Sequence, residues 1–234
     1  MSCLIKNNAI FLHIPKTGGT FFRKIIEDLD LRVFDFGYEH ADMERTIHSF
    51  KYYPANAFRS SFLLRKNIDS YAKECFKFCF VRNPYSWYES YWRFMYGLHW
   101  NNLNKYRPKN RFEIPVDNWN PINLLLPYAN DDFNIFLENV LNAEPAFLTK
   151  LYARYTPQQH INYVGRLETM NYDASIIFTT LKIKFDKNIF EKTSRANESK
   201  TPKPIWSEEL KNRVYDSELS IFKKYNYNRD GSAS

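Results

Sequence analysis

Two short stretches of this sequence carry residue types suited to holding anions. Pro15-Lys-Thr-Gly-Gly-Thr20 follows the apolar run Ala9-Ile-Phe-Leu-His-Ile14. The apolar residues after it, Phe21, Phe22, Ile25, Ile26 and Leu29, are spaced as on one face of a helix. A glycine turn between strand and helix lets backbone N–H groups face a ligand, and the helix N-terminus adds partial positive charge. Together they make an anion cradle, with Lys16 supplying a full charge at its mouth. The plainer reading is a βα turn with a surface lysine, but adjacent glycines in a chain with only 6 Gly need a cause. The second stretch, Phe76-Lys-Phe-Cys-Phe-Val81, ends in Arg82-Asn-Pro84. Arginine at a strand end grips anions and cannot hold magnesium. In the ATP-binding pattern G-x-x-x-x-G-K-[ST] the lysine follows the glycines. Here Lys16 precedes Gly18 and Gly19, which points away from nucleotide hydrolysis and toward a second phosphate.

The histidines and one basic loop are further candidates. His13 lies within the first strand and reads as a core histidine, whereas His99 and His160 sit in or near loops and could meet a substrate. Residues 97–130 contain Trp100, Lys105, Tyr106, Arg107, Lys109, Arg111 and Trp119. Aromatic faces stack on sugar rings and cations pair with carboxylates or sulfates. His99, Trp100, Arg107 and Arg111 are therefore candidate contacts for an acidic glycan. The alternative is a solvated basic insertion packed by its tryptophans.

The elements that must position these residues alternate between strand and helix. Thr20 can cap the first helix. Ser86 and Glu89 form an S-x-x-E capping box for an aromatic helix through about Tyr96. Phe133, Phe136, Leu137, Val140 and Leu141 define an amphipathic helix. A strand is expected at 161–164, a helix at 173–181, a possible strand at 182–185 and a last helix capped by Ser207. This order predicts an α/β fold: a P-loop-like parallel β-sheet flanked by helices, with a long irregular insertion at 97–130.

Composition narrows the classes. The chain has 234 residues, which predicts one domain over 1–230. Gly-Ser-Ala-Ser at 231–234 could be a cloning remnant and is set aside. The net charge of +7 favours an anionic partner. Three cysteines are too few for a disulfide framework, and Cys75 and Cys79 complete no zinc pattern, so buried thiols in a reducing, cytoplasmic compartment and no metal site are expected. No apolar run approaches the ~20 residues of a membrane span, and residues 1–8 do not read as a signal peptide.

At this point the sequence resembles a family. Pro15-Lys-Thr-Gly-Gly-Thr20 is similar to the 5′-phosphosulfate loop of sulfotransferases that use 3′-phosphoadenosine 5′-phosphosulfate (PAPS). Val81-Arg-Asn-Pro-Tyr-Ser-Trp-Tyr-Glu-Ser-Tyr91 is similar to their 3′-phosphate motif, an arginine with a serine eight residues on, although Trp87 stands where many relatives carry arginine. Val164-Gly-Arg-Leu-Glu168 resembles the family's V-G-[KR]-x-E segment, and Asn197, Ser199 and a terminal helix ending near Tyr225 resemble its closing pattern. The carbohydrate sulfotransferase branch fits best.

The resemblance implies transfer of a sulfuryl group from PAPS to a hydroxyl or amine, on a carbohydrate, leaving 3′,5′-adenosine bisphosphate (PAP), without metal. Lys16, Thr17, Gly18, Gly19, Thr20 and Phe21 would hold the 5′ end, and Arg82 and Ser90 the 3′-phosphate. Arg166 and Arg195 are candidates to replace the basic contact absent at Trp87. By analogy with phosphoryl transfer, Lys16 would stabilise the leaving oxygen. The resemblance also implies a general base between the two motifs: His40, with Glu39 and His48 as alternatives. Two rivals remain. A kinase or other phosphotransferase on the same fold would need a magnesium carboxylate, for which Asp186 is the candidate. A non-enzymatic nucleic-acid binder would rest on net charge and aromatics.

Overall fold

The structure is a computed structural model that describes residues 2–35, 40–52, 68–100, 120–193 and 201–233, the side chains of 48–52 and 68–70 excepted. Its centre is a five-stranded sheet in the order β3-β1-β2-β4-β5. The strands are β1 (Cys3–Ile5), β2 (Ala9–Leu12), β3 (Arg32–Asp35), β4 (Phe76–Val81) and β5 (Tyr163–Arg166). β2, β4 and β5 run parallel, with Leu12 opposite Cys79 and Val81 opposite Arg166. The α/β expectation holds, with one departure: β1 is antiparallel to both β2 and β3. Asn7 and Asn8, at φ 63° and 57°, turn the chain from β1 into β2, a conformation asparagine tolerates. A three-residue run is too short to register as a strand in the sequence, so β1 comes from the structure alone.

Period-2 alternation on the strands feeds two cores. Ala9, Phe11, Phe78 and Phe80 pack against α1 (Gly19–Asp28) and α7 (Met170–Thr180). Ile10, Leu12, Cys79 and Val81 face the opposite layer, made by α2 (Met43–Tyr52), α3 (Ile68–Glu74), α4 (Pro84–Gly97), α5 (Phe133–Ala143), α6 (Phe147–Tyr155), α9 (Glu208–Ser217) and α10 (Leu219–Lys224). Both faces of β2 and β4 are therefore buried, which explains the apolar run of β2 and the mainly apolar β4. The exception, Lys77, is buried with its ammonium donating to the Lys73 (3.0 Å) and Cys75 (2.9 Å) carbonyls.

Several local expectations change. Thr20 is exposed inside the first turn of α1; the cap position is Gly18, left-handed at φ 78°, with no side-chain cap. The Ser86–Glu89 capping box does not start α4. Asn83 Oδ1 accepts the N–H groups of Tyr85 (2.8 Å) and Ser86 (3.3 Å), and Pro84 takes the first helical position, which its fixed φ suits. Residues 182–185 form no strand; Lys182, at φ 56°, turns the chain after α7, and the short α8 (Ile189–Lys192) follows. The last helix divides at Glu218. That fully buried carboxylate accepts from the Leu148 and Thr149 N–H groups at the start of α6 and from the Tyr88 hydroxyl. Most of the expected insertion, 101–119, lies outside the described residues, and Asn123–Tyr128 forms a 3-10 turn. Residues set aside at the C-terminus pack onto the fold: the Gly231 carbonyl accepts from Asn83 Nδ2 (2.6 Å), and Tyr227 bridges to Ala233. Cys3, Cys75 and Cys79 are buried and in no disulfide. Among the described residues, no helix is long and apolar enough to cross a membrane.

Candidate active site

Three parallel strands deliver the site residues to one sheet edge. β2 runs into the Pro15–Thr20 loop, its neighbour β4 into Arg82, and β5, next to β4, ends at Arg166. This is the carboxyl edge, where open α/β sheets leave a crevice between diverging loops.

The first loop is shaped by what its glycines allow. Gly18, at φ 78°, takes a conformation that side-chain-bearing residues avoid. Gly19 lets the His13 ring lie against the backbone, since a Cβ there would sit 1.9 Å from His13 Cδ2. The Thr17 hydroxyl turns inward and donates to the Ile14 carbonyl (2.9 Å), so Thr17 offers only its backbone to a ligand. The partly buried Phe21 packs against the α1–α7 core. The N-terminus of α1 thus keeps its cradle free of side-chain caps.

The second group gathers on α4. Arg82 donates from Nε to Ser86 Oγ (2.9 Å) and from Nη1 to the Lys16 carbonyl (3.2 Å), which joins the two motifs directly. Ser86, Ser90 and Phe94 follow at four-residue spacing along α4, continuing from Arg82, which lies just before the helix cap. Ser90 is one turn beyond Ser86, and the Phe94 ring lies under the Lys16 ammonium, 4.0 Å from Nζ to the centroid. A brace holds Arg82 in place. The Tyr152 hydroxyl accepts from the Arg82 N–H (3.0 Å) and donates to its carbonyl (2.8 Å), while Glu168 accepts from the Asn83 N–H and the Tyr227 hydroxyl (both 2.9 Å).

The electrostatics of this junction favour an anion. Burial, then the positive charges of Arg82 and Arg93, bring the Lys16 ammonium down to about 7. Burial also lowers Arg82, opposed mainly by Glu168. Three cations near one point with Glu168 already engaged are a poor arrangement for folding alone and a good one for a bound polyanion.

Two of the histidines, His13 and His40, fall together. His40 Nδ1 lies 3.2 Å from the His13 carbonyl, and the two rings meet edge to face with centroids 4.7 Å apart. A carbonyl can only accept, so Nδ1 carries the hydrogen and Nε2 keeps its lone pair. Burial holds His40 at about 3 and pushes His13 well below the usual histidine range, so both rings are neutral. His13 is buried as expected, yet it also joins the glycine loop to His40. The Tyr155 hydroxyl anchors the His40 carbonyl (2.6 Å), and Asp42, paired with Arg45 and Arg154, fixes the start of α2. Glu39 and the His48 side chain lie outside the description.

Other candidates have different places. Arg166 directs Nη1 to the Asn226 carbonyl (3.1 Å) and Nε to Thr169 Oγ1 (3.3 Å), so it supports the turn after α10. The Trp100 indole donates to Asp131 (2.8 Å) and packs on Phe136; it closes the end of α4 against α5. His99 and His160 are exposed. Arg107, Arg111, Arg195, Asn197 and Ser199 are outside the described residues. Asp186 is exposed, accepts the Asn188 N–H (3.0 Å) and pairs with Lys192 (3.1 Å). The sequence reading missed Ser86, Arg93, Phe94 and Tyr152. The four-residue spacing from Arg82 could have found Ser86 and Phe94; nothing local marks Tyr152, which is brought in from another helix.

The family comparison agrees with this geometry. No curated protein and no solved structure matches the chain. A family model described as the sulfotransferase family matches residues 5–227, which takes in both loops, the Arg82 brace and the helices behind them, and the chain belongs to that family.

Proposed function

We propose that this sulfotransferase takes its sulfuryl group from PAPS and delivers it to a hydroxyl or amine on a carbohydrate. The hydrogen bond from Arg82 to the Lys16 carbonyl carries the reading, because it fuses a phosphate-type cradle and an arginine grip into one cationic site. A donor with phosphates at both ends of one nucleoside matches two anion positions on adjacent strands. Gly18 and Gly19 let the loop close against Leu167 and His13, which Cβ atoms would strike, so that its backbone can turn toward the 5′ end. Arg82, Ser86 and Ser90 would hold its 3′-phosphate.

PAPS supplies the activated sulfuryl group; the chain supplies position, charge and a proton acceptor. The Lys16 ammonium neutralises charge on the oxygen that leaves. Neutral His40 offers Nε2 to the acceptor's proton, with its Nδ1–H fixed by the His13 carbonyl. Tyr152 and Glu168 fix the backbone at Arg82 and Asn83 from which the guanidinium reaches. The buried cysteines, none of them in a disulfide, support a cytoplasmic setting. The kinase alternative is less well supported, since its candidate acid Asp186 follows no strand and lies in an exposed turn after α7.

Calorimetric titration with PAP, ADP and ATP, without magnesium, tests the donor. Selective binding of PAP that is lost in Arg82→Ala is expected. Equal or tighter ATP binding, strengthened by magnesium, would overturn the reading.

A further inference from the structure

We infer that Trp87 is the positioning residue of the glycine cradle, its indole N–H holding the Pro15 carbonyl so that the backbone of Lys16 is presented to the donor. Trp87 is 1% exposed, and Nε1 donates to the Pro15 oxygen at 2.9 Å. The next carbonyl, that of Lys16, is taken by Arg82 at 3.2 Å. Two consecutive loop carbonyls are thus held by the Arg82–Trp87 segment. Among the described residues every peptide is trans, so each carbonyl and the following N–H point in opposite directions. Holding the Pro15 and Lys16 carbonyls therefore turns the N–H groups of Lys16 and Thr17 the other way.

Lys16 itself sits at φ 65°, a conformation that a residue with a long side chain adopts only when something holds it. The indole is in turn fixed. It stacks on Tyr91 at 5.4 Å and 16°, meets Tyr88 edge-on at 5.4 Å and touches Phe147 at 6.0 Å. Position 87 therefore serves the 5′ loop from beneath. The consequence for donor affinity rests on the PAPS reading; the consequence for loop order does not.

Two variants separate positioning from general stability. Trp87→Phe keeps an aromatic ring and removes the N–H. Tyr91→Phe removes another buried hydrogen bond of the same helix, from the Tyr91 hydroxyl to the Ile122 carbonyl (2.6 Å), which does not touch the loop. Amide hydrogen exchange over residues 14–20 and calorimetric binding of PAP are measured on wild type and both variants. Trp87→Phe is expected to speed exchange in the loop and weaken PAP binding about tenfold, the size of one lost hydrogen bond. The donor KM should rise with the acceptor KM unchanged, and Tyr91→Phe should leave both loop exchange and PAP affinity as in wild type. Unchanged loop exchange in Trp87→Phe, or the same change in both variants, would overturn the inference. Should wild type fail to bind PAP, the donor reading falls, and the exchange measurement alone decides the role of Trp87.

Discussion

The loop at Pro15–Thr20 and the turn at Arg82–Ser86 open on the same sheet edge, but they are built from different materials. The first is mainly backbone. Two glycines, one left-handed carbonyl-pinned lysine and a helix start without a side-chain cap define it. The second is mainly side chains. Arg82 reaches Ser86 and the Lys16 carbonyl only because Tyr152, Glu168 and the C-terminal turn at Gly231 brace the chain around it. A backbone site fails abruptly when a Cβ is added, because nothing can rotate out of the way. A side-chain site fails by degrees, because each brace contributes a share.

That contrast can be sharpened experimentally. The largest effect is expected in Lys16→Ala, which should cut kcat by about 10²–10³ while PAP still binds through the backbone N–H groups; calorimetry beside single-turnover kinetics checks it. Loss of PAP binding as well would mean the lysine, not the backbone, makes the cradle. Gly19→Ala should cost about 3 kcal/mol of stability, since its Cβ collides with the buried His13 ring, and thermal unfolding reads it. Adding His13→Ala should return part of that loss, and no return would refute the clash as its cause.

Glu168→Gln should cost about 2 kcal/mol, because the amide cannot accept from both the Asn83 N–H and the Tyr227 hydroxyl as the carboxylate does. Its PAP affinity should fall while loop exchange at 14–20 is unchanged; the opposite pattern would erase the distinction between the two regions. The smallest effect is on pH. With Lys16 at about 7, its charge is present below that value and lost above it. PAP affinity should therefore fall about tenfold between pH 6 and pH 8. Lys16→Arg, which stays charged, should flatten the profile.

His40 shows how far local sequence reaches. Its position between the two motifs marks it as a candidate, but the tautomer and the proximity to His13 follow from β2 and the start of α2 meeting across 27 residues. Trp87 reads as a departure from a motif in the sequence, and only its burial under Pro15 gives it a task. Ser86 fits a capping box on local spacing alone. Asn83 and Pro84 start the helix one turn earlier and free the hydroxyl for Arg82.

The sequence by itself determined the period-2 and period-3.6 patterns, the glycine turn with its helix start, and the arginine at a strand end. These are local properties, set by backbone sterics and by which faces must leave water. Only the tertiary structure decided that β2 and β4 are neighbours and parallel, which puts Lys16 and Arg82 in contact across 66 residues. It also decided that Glu168, Tyr152 and Gly231 brace the arginine turn. Those partners are separated along the chain by 85, 70 and 148 residues, and no local pattern encodes a contact whose partners meet only after both cores have formed.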